Sequence, residues 1–193
     1  MSTFKIDDQN EIYYELTEPK GNGHTFVFVN ALTGSTTAWN GIIGDKITEE
    51  GNGFLTYNFR GQDISKFSDK LNLDTNLIVS DLCLLIEKLK LKNLILVGLS
   101  IGGLYASLAL EKGIKSQGLV LINTLRKNNT RLKWINETMV NVARYGGTSL
   151  LMDMNMPVIA SPSFLKKMKP NALNPSNYKG CLLYTSDAAD EER

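Results

Sequence analysis

Four short runs of apolar residues are spaced along the first two thirds of the chain. They are Thr25–Val29, Phe54–Tyr57, Leu94–Val97 and Gly118–Ile122. Continuous apolar runs of four to five residues are typical of strands that are buried on both faces, as in parallel sheets. We therefore predict that these segments are adjacent strands of one mainly parallel sheet.

Helical spacing fills the intervals between these runs. The first predicted helix carries apolar residues three or four positions apart, at Ile78, Leu82, Leu85 and Leu89. Asp74 or Thr75 can cap it, and a second helix is predicted over Leu104–Glu111. The segments Phe4–Ile6 and Ile12–Leu16 flank a polar turn and predict an opening β-hairpin. Alternating strands and helices predict an α/β fold, with a mainly parallel sheet and helices on both faces.

The pattern changes after Thr124. Arg131–Tyr145 is predicted to be a helix, Gly146 and Gly147 interrupt it, and a proline-punctuated stretch covers Pro157–Pro175. No further buried strand is visible, so we predict residues 1–125 as a sheet core and residues 126–180 as the start of a helical cap inserted over it. The methionines of this region fit packing within the cap, with an adaptable substrate pocket as the alternative.

Composition narrows the class of function. The chain has 193 residues, of which 42% are hydrophobic, and its formal net charge is only +1. No basic run is interleaved with aromatic residues, so we expect a small-molecule partner and no nucleic acid. No stretch is apolar and long enough to span a bilayer, and the N-terminus lacks an apolar leader. These features predict a cytoplasmic protein without a membrane partner.

Cysteine and histidine are scarce. The chain has two cysteines and one histidine, His24. That number is too small for a disulfide framework or a zinc ligand cluster. We predict no disulfide, no metal and no cofactor.

The last thirteen residues are a separate case. Residues 181–191 can be encoded, without a break, by a sequence that resembles the transposon adapter used in sequencing-library preparation. Fusion scars of this kind are excluded from fold reasoning. We interpret residues 181–193 as a non-native tail, with an acidic flexible C-terminus as the alternative.

The residues Gly98-Leu99-Ser100-Ile101-Gly102 form a Gly-x-Ser-x-Gly pattern between a predicted buried strand and a predicted helix. In that context the pattern presents a serine nucleophile on a tight strand-to-helix turn. Gly98 and Gly102 lack side chains that would clash there, and the N–H of Ile101 can stabilise an oxyanion. We predict Ser100 as a catalytic nucleophile; the alternative is a glycine-rich turn that packs closely or holds a phosphate.

Segments around this motif resemble the α/β-hydrolase superfamily. They are Asn30–Trp39, Tyr57–Gln62, and Gly98–Gly103 with the strand Leu119–Thr124. Within the superfamily they are most similar to the 3-oxoadipate enol-lactonase group and related cap-bearing esterases, which share the asparagine-led loop ending in tryptophan. The resemblance implies an α/β-hydrolase fold and hydrolysis of a small carboxylic ester or lactone. It also implies that the backbone N–H of Leu32 is the second oxyanion donor.

The chain departs from that family in two respects. Asn58 and Asp63 stand where the family's Asp-x-Arg-Gly-x-Gly turn has aspartate and glycine, so we expect the turn to be stabilised differently. Family triads run in the order serine, acid, histidine, but no histidine follows Ser100. His24 precedes the predicted strand Thr25–Val29, and we expect it at the opposite end of that strand from the site.

The catalytic acid and histidine are therefore predicted to be absent from this chain, which we interpret as the N-terminal part of a longer enzyme. Asp153 follows the motif, but it falls in the predicted cap, where we expect a solvated residue. The 193 residues alone are expected to be inactive. Two alternatives stay open: a non-catalytic, ligand-binding member of the fold, and an acyltransferase or carbon–carbon bond hydrolase that uses the same serine.

Overall fold

A computed structural model describes residues 2–124 and 129–179, which form two compact units divided between positions 126 and 127. The predicted boundary between core and cap, at residues 125 and 126, lies outside the described residues, as does the predicted non-native tail at residues 181–193. None of the helices in the two described ranges is both long and apolar enough to cross a membrane.

The first unit consists of strands and helices in alternation after an opening hairpin. Its strands are β1 (Ser2–Lys5), β2 (Glu11–Thr17), β3 (Thr25–Val29), β4 (Gly53–Tyr57), β5 (Leu94–Leu99) and β6 (Gly118–Ile122). Its helices are α1 (Ile42–Glu49), α2 (Thr75–Lys88) and α3 (Ile101–Glu111). Asp74 caps α2 by accepting a hydrogen bond from the N–H of Leu77 over 2.9 Å, which confirms one of the two predicted caps.

The six strands form one sheet in the order β1-β2-β4-β3-β5-β6. Strands β4, β3, β5 and β6 are mutually parallel, and the β1–β2 hairpin pairs antiparallel with β4. The predicted mainly parallel sheet is therefore confirmed, with β5 in its interior. Val29 pairs with Gly98, so the chain leaves the carboxyl ends of β3 and β5 at neighbouring points.

Helices cover both faces of this sheet. Alternate residues of a strand point to opposite faces, and in β3 they enter two different apolar clusters. Val27 and Val29 pack with residues of α2 and α3 on one face, whereas Phe28 packs with Phe54 and Trp39 on the other. Burial of these side chains supplies the main driving force for folding of the unit.

Strand β6 is an edge of the sheet in the part of the chain that the structure describes, because β5 is its one neighbour there. Its apolar side chains are unusually accessible: Val120, Leu121 and Ile122 are 44%, 49% and 40% exposed. The pattern of continuous apolar residues that predicted burial on both faces therefore holds for β3 and β4 but not for β6.

The second unit is helical. α4 spans Thr130–Ile159 and α5 spans Pro162–Met168, followed by short 3-10 turns. The predicted interruption of the first helix is confirmed at Gly147, whose φ of 80° is not helical. Helix α4 then continues through Pro157 to Ile159, so the first proline of the proline-punctuated stretch lies within the helix. Pro157 lies in the last turn and has no N–H to donate to the carbonyl of Asp153, four residues earlier in the helix.

Asp153 is not the solvated residue that the sequence suggested. It is half-buried, and its Oδ2 accepts hydrogen bonds from the N–H of Leu173 over 2.9 Å and from the hydroxyl of Tyr178 over 2.7 Å. The hydrogen bond to Asp153 raises the pKa of Tyr178 above its usual value. Asp153 therefore ties the segment that follows α5 back to α4.

Candidate active site

Ser100 is the single residue between the end of β5 and the start of α3. Its backbone has φ 56° and ψ −122°, so its φ is positive. This region is unfavourable for a residue with a side chain and is maintained only where neighbouring structure fixes it. Here the N–H of Ser100 donates to the carbonyl of Ile122 over 2.9 Å, and its carbonyl accepts from the N–H of Gly103 over 3.1 Å.

The hydroxyl of Ser100 is not used to cap α3. A serine at this position usually accepts a hydrogen bond from an amide in the first turn, but the Ser100 side chain makes no such bond. The N–H of Ile101, in the first turn of α3, also has no acceptor among the described residues. The start of a helix thus presents a hydroxyl and an amide that other groups have not engaged.

Close backbone packing requires glycine at positions 98 and 102, on either side of Ser100 in the strand-to-helix turn, which we call the elbow. A Cβ on Gly102 would overlap the backbone carbonyls of Val29 and Asn30, and one on Gly98 would overlap the backbone of Gly103. Backbone atoms cannot move aside as a flexible side chain can. Glycine at position 102 therefore allows the elbow to approach the loop that leaves β3.

That loop is fixed at its start by Asn30, whose side chain is buried. Asn30 Nδ2 donates to the carbonyl of Tyr57 over 2.7 Å, and its Oδ1 accepts from the indole N–H of Trp39 over 2.6 Å. The Leu32 side chain is 62% exposed. The backbone N–H of Leu32 has no acceptor among the described residues, as is true of the N–H of Ile101.

The turn after β4 is held in part by Asn58 and Asp63, the two residues that depart from the family pattern. Asn58 Oδ1 accepts from the N–H of Thr36 over 2.9 Å, and its Nδ2 lies 3.4 Å from a carboxylate oxygen of Asp63. Asp63 has a φ of 47°, in the left-handed region that glycine enters freely and aspartate tolerates. Aspartate can therefore adopt the positive φ that the chain has at position 63.

His24 lies directly before β3, at the end of the strand opposite the candidate site, as predicted. It therefore cannot serve as the base for Ser100. In the described ranges, no three histidine, cysteine, aspartate or glutamate side chains come close enough to hold a metal ion. The turn at Ser100 thus offers an unengaged hydroxyl and the N–H of Ile101, and it packs against the start of the loop that carries Leu32.

Three polar side chains near the site were missed by sequence reasoning. Gln62 bonds the loop after β3, Asp81 forms a buried pair with Arg60, and Glu15 accepts from the side chains of Thr36 and Asn40. Each partner is more than twenty residues away in sequence. No local pattern could therefore have identified them.

Comparison with known proteins gives the family. A sequence profile described as "alpha/beta hydrolase fold" matches residues 24–150. Among solved structures, MGS-M2, an alpha/beta hydrolase enzyme from a Medee basin deep-sea metagenome library, is 25% identical with a TM-score of 0.73, and the match covers 88% of this chain. The match covers 61% of MGS-M2. Among curated proteins, no relative matches this chain.

Two further structures share the fold at lower identity. The enol-lactonase from Burkholderia xenovorans LB400 is 22% identical with a TM-score of 0.69, over 85% of this chain and 62% of the other. The esterase EaEST from Exiguobacterium antarcticum is 18% identical with a TM-score of 0.70, over 88% of this chain and 66% of the other. At such identities the likeness concerns the fold alone. The profile match covers well over half of the residues, and the chain belongs to the alpha/beta hydrolase fold family.

Proposed function

We propose that Ser100 is the nucleophile of a hydrolase that acts on a small carboxylic ester or lactone. The observation that carries the proposal is the backbone conformation and hydrogen bonding of the turn at Ser100. Ser100 sits at positive φ with a hydroxyl that caps no helix, beside the N–H of Ile101, which has no acceptor in the described part of the chain. A strained turn that leaves its serine unengaged is typical of a nucleophile elbow.

In the proposed reaction, Ser100 Oγ attacks the carbonyl carbon and forms a C–O bond while a base takes the hydroxyl proton. The carbonyl oxygen becomes an oxyanion, which the N–H groups of Leu32 and Ile101 stabilise. The intermediate collapses, the alcohol oxygen leaves with a proton, and an acyl-serine remains. Water then attacks this ester and releases the acid. With a lactone, the leaving alcohol stays attached to the acyl group.

The proposal requires a base that these 193 residues do not supply, because His24 lies at the wrong end of β3 and no histidine follows Ser100. We propose that the base and its acid come from chain continuing beyond residue 180. An unassisted serine hydroxyl stays protonated near neutral pH and is a poor nucleophile. The 193 residues alone should accordingly show little hydrolysis.

The experiment compares the 193-residue chain with a form that includes this continuation. The extended form should react with a fluorophosphonate probe at Ser100. It should also hydrolyse p-nitrophenyl acetate, which tests for an ester substrate, or dihydrocoumarin, which tests for a lactone. Ser100→Ala should abolish labelling and hydrolysis. Ser107→Ala is the matched control, because Ser107 lies on α3, which Ser100 directly precedes, and its hydroxyl donates to the carbonyl of Gly103.

Two outcomes would contradict parts of the proposal. Hydrolysis by the 193-residue chain that disappears on Ser100→Ala would mean that the base lies within these residues. A folded extended form that neither reacts with the probe nor hydrolyses either substrate would favour a non-catalytic, ligand-binding protein of this fold.

A further inference from the structure

The side-chain amide of Gln62 has a hydrogen-bond partner at each of its polar positions. Its Nε2 donates to the backbone carbonyls of Ala31, over 2.9 Å, and Leu32, over 2.8 Å. Its Oε1 accepts from the N–H of Phe59 over 3.0 Å and lies 3.4 Å from Asn30 Nδ2. A primary amide has two N–H donors and one acceptor oxygen. The opposite orientation would place that oxygen against two carbonyl oxygens, so the network fixes how the amide is turned.

One of these bonds falls on the peptide group that contains the proposed oxyanion donor. The carbonyl of Ala31 and the N–H of Leu32 belong to the same planar unit, and in a trans peptide they point in opposite directions. No cis peptide occurs in the described residues. Because Gln62 holds the carbonyl of Ala31, the N–H of Leu32 must point away from Gln62.

Within the described ranges the carbonyl of Ala31 has one other donor, the N–H of Gly34 over 3.0 Å. That bond closes a tight turn within the loop, so it moves with the loop and cannot orient it relative to the sheet. Gln62 lies in a different segment, the turn after β4, and is itself held by the N–H of Phe59. Asn30 fixes where the loop begins, and in the described part of the chain Gln62 is the side chain that ties the Ala31 carbonyl itself to another segment.

We infer that Gln62 is a positioning residue, which sets the direction of the Leu32 N–H by holding the Ala31–Leu32 peptide in one orientation. The role in orienting the peptide follows from the contacts alone. The role in catalysis rests on the proposed function, in which that N–H stabilises the oxyanion. Gln62 acts through the peptide, whose N–H points away from it, and we assign it no contact with the reacting atoms.

The orientation can be measured directly by residual dipolar couplings in the ¹⁵N-labelled 193-residue chain. The coupling of the Leu32 N–H reports the direction of that bond relative to the amides of β3 and β5, which define the frame. In the wild type it should fit a single rigid orientation in that frame. Gln62→Met keeps the side-chain length but removes all four hydrogen bonds. In this variant the Leu32 N–H coupling should become smaller or no longer fit the wild-type orientation.

A second variant and a control make the result specific. Gln62→Glu has nearly the same shape but, when ionised, cannot donate to the two carbonyls. Its Leu32 coupling should be disturbed at pH 7 and recover in part as acid protonates the carboxyl, whereas Gln62→Met should not recover. Gln117→Met is the matched control, because exposed Gln117 lies at the opposite end of the sheet. Couplings of the sheet amides report whether each variant is folded.

Kinetics of the extended form test the catalytic role. If the N–H is an oxyanion donor, Gln62→Met should lower kcat about 10- to 100-fold, with KM changed less than about twofold. An unchanged Leu32 coupling in both Gln62 variants overturns the inference. An unchanged kcat in Gln62→Met, in an enzyme that Ser100→Ala inactivates, also overturns the inference. That result leaves the proposed function intact. If Ser100→Ala leaves hydrolysis unchanged, the proposed function fails instead, and the dipolar couplings still decide whether Gln62 orients the peptide.

Discussion

Arg60 and Asp81 form an ion pair in the interior of the sheet unit, with two nitrogens of the guanidinium each donating to a different carboxylate oxygen. Both side chains are only 6% exposed. Arg60 lies in the turn after β4 and Asp81 on α2, so the pair connects the turn that carries Gln62 to the helix layer. A pair of this geometry is matched in shape and charge, and loss of either member leaves the other charge buried without compensation.

Asp81→Ala should therefore lower the free energy of unfolding by about 3–5 kcal/mol. Urea denaturation followed by circular dichroism measures this difference. Glu87→Ala is the control, because Glu87 is an exposed carboxylate on the same helix, and its removal should change stability by less than about 0.5 kcal/mol. Equal effects of the two substitutions would contradict the importance of the buried pair.

Gly102→Ala should destabilise the fold, because its new methyl group would meet the carbonyls of Val29 and Asn30. We expect a loss of about 1–3 kcal/mol, the usual effect of overpacking against groups that cannot move. Gly118→Ala provides the comparison, since a Cβ there would contact only the Ile95 side chain, at an ordinary 3.7 Å. Thermal unfolding of the two variants should show a lowered midpoint for the first alone.

Tyr57→Phe should leave stability unchanged or raise it by up to about 2 kcal/mol. The Tyr57 hydroxyl is fully buried and has no hydrogen-bond partner among the residues that the structure describes. Trp39→Phe is the opposite case, because the indole N–H donates to Asn30 over 2.6 Å. It should cost at least about 1 kcal/mol. A larger loss in Tyr57→Phe than in Trp39→Phe would show that the hydroxyl has a partner.

The same tyrosine predicts how stability declines in alkali. Burial raises the pKa of Tyr57 well above its usual value of 10. Above pH 10 the unfolded chain therefore loses a proton that the folded chain keeps, so stability falls as the pH rises, by up to about 1.4 kcal/mol per pH unit. Tyr57→Phe removes this contribution. Urea denaturation at pH 8 and pH 11 should show a smaller decline in the variant than in the wild type.

The sheet could be predicted from the sequence because its strands carry their own signal. Val27, Leu55 and Leu96 are completely buried, and burial on both faces requires the continuous apolar runs that marked these strands. Helix α1 has no such signal. Its one buried residue is Gly44, which fits against Phe54 because it lacks a side chain, while Ile42 is 84% exposed. Its apolar signal at helical spacing is the single pair Ile43 and Ile47, of which Ile47 packs against the cluster around Phe28, and one such pair is too short a pattern to predict a helix.

The candidate site likewise contains residues that a local sequence pattern reveals and residues that it does not reveal. Ser100 and its glycines form a local motif that the sequence shows directly, although Gly102 packs against Val29 and Asn30 in a distant segment. Gln62 acts thirty positions away from Leu32, and Asp81 twenty-one positions away from Arg60. Such partners are brought together only by the parallel pairing of β3, β4 and β5, so sequence spacing does not indicate them.

The order of the strands has a consequence for which parts of this protein can accept amino-acid substitutions. Strand β3 lies between β4 and β5, so the chain departs to one side after β3 and to the other side after β5. Between two such departures a crevice opens at the carboxyl edge, whatever side chains line it. The location of the crevice is a property of connectivity, whereas what it admits depends on exposed loop residues such as Leu32. If the proposed function holds, substrate preference can therefore drift by loop substitution while the buried pairs that hold the sheet and its turns stay the same.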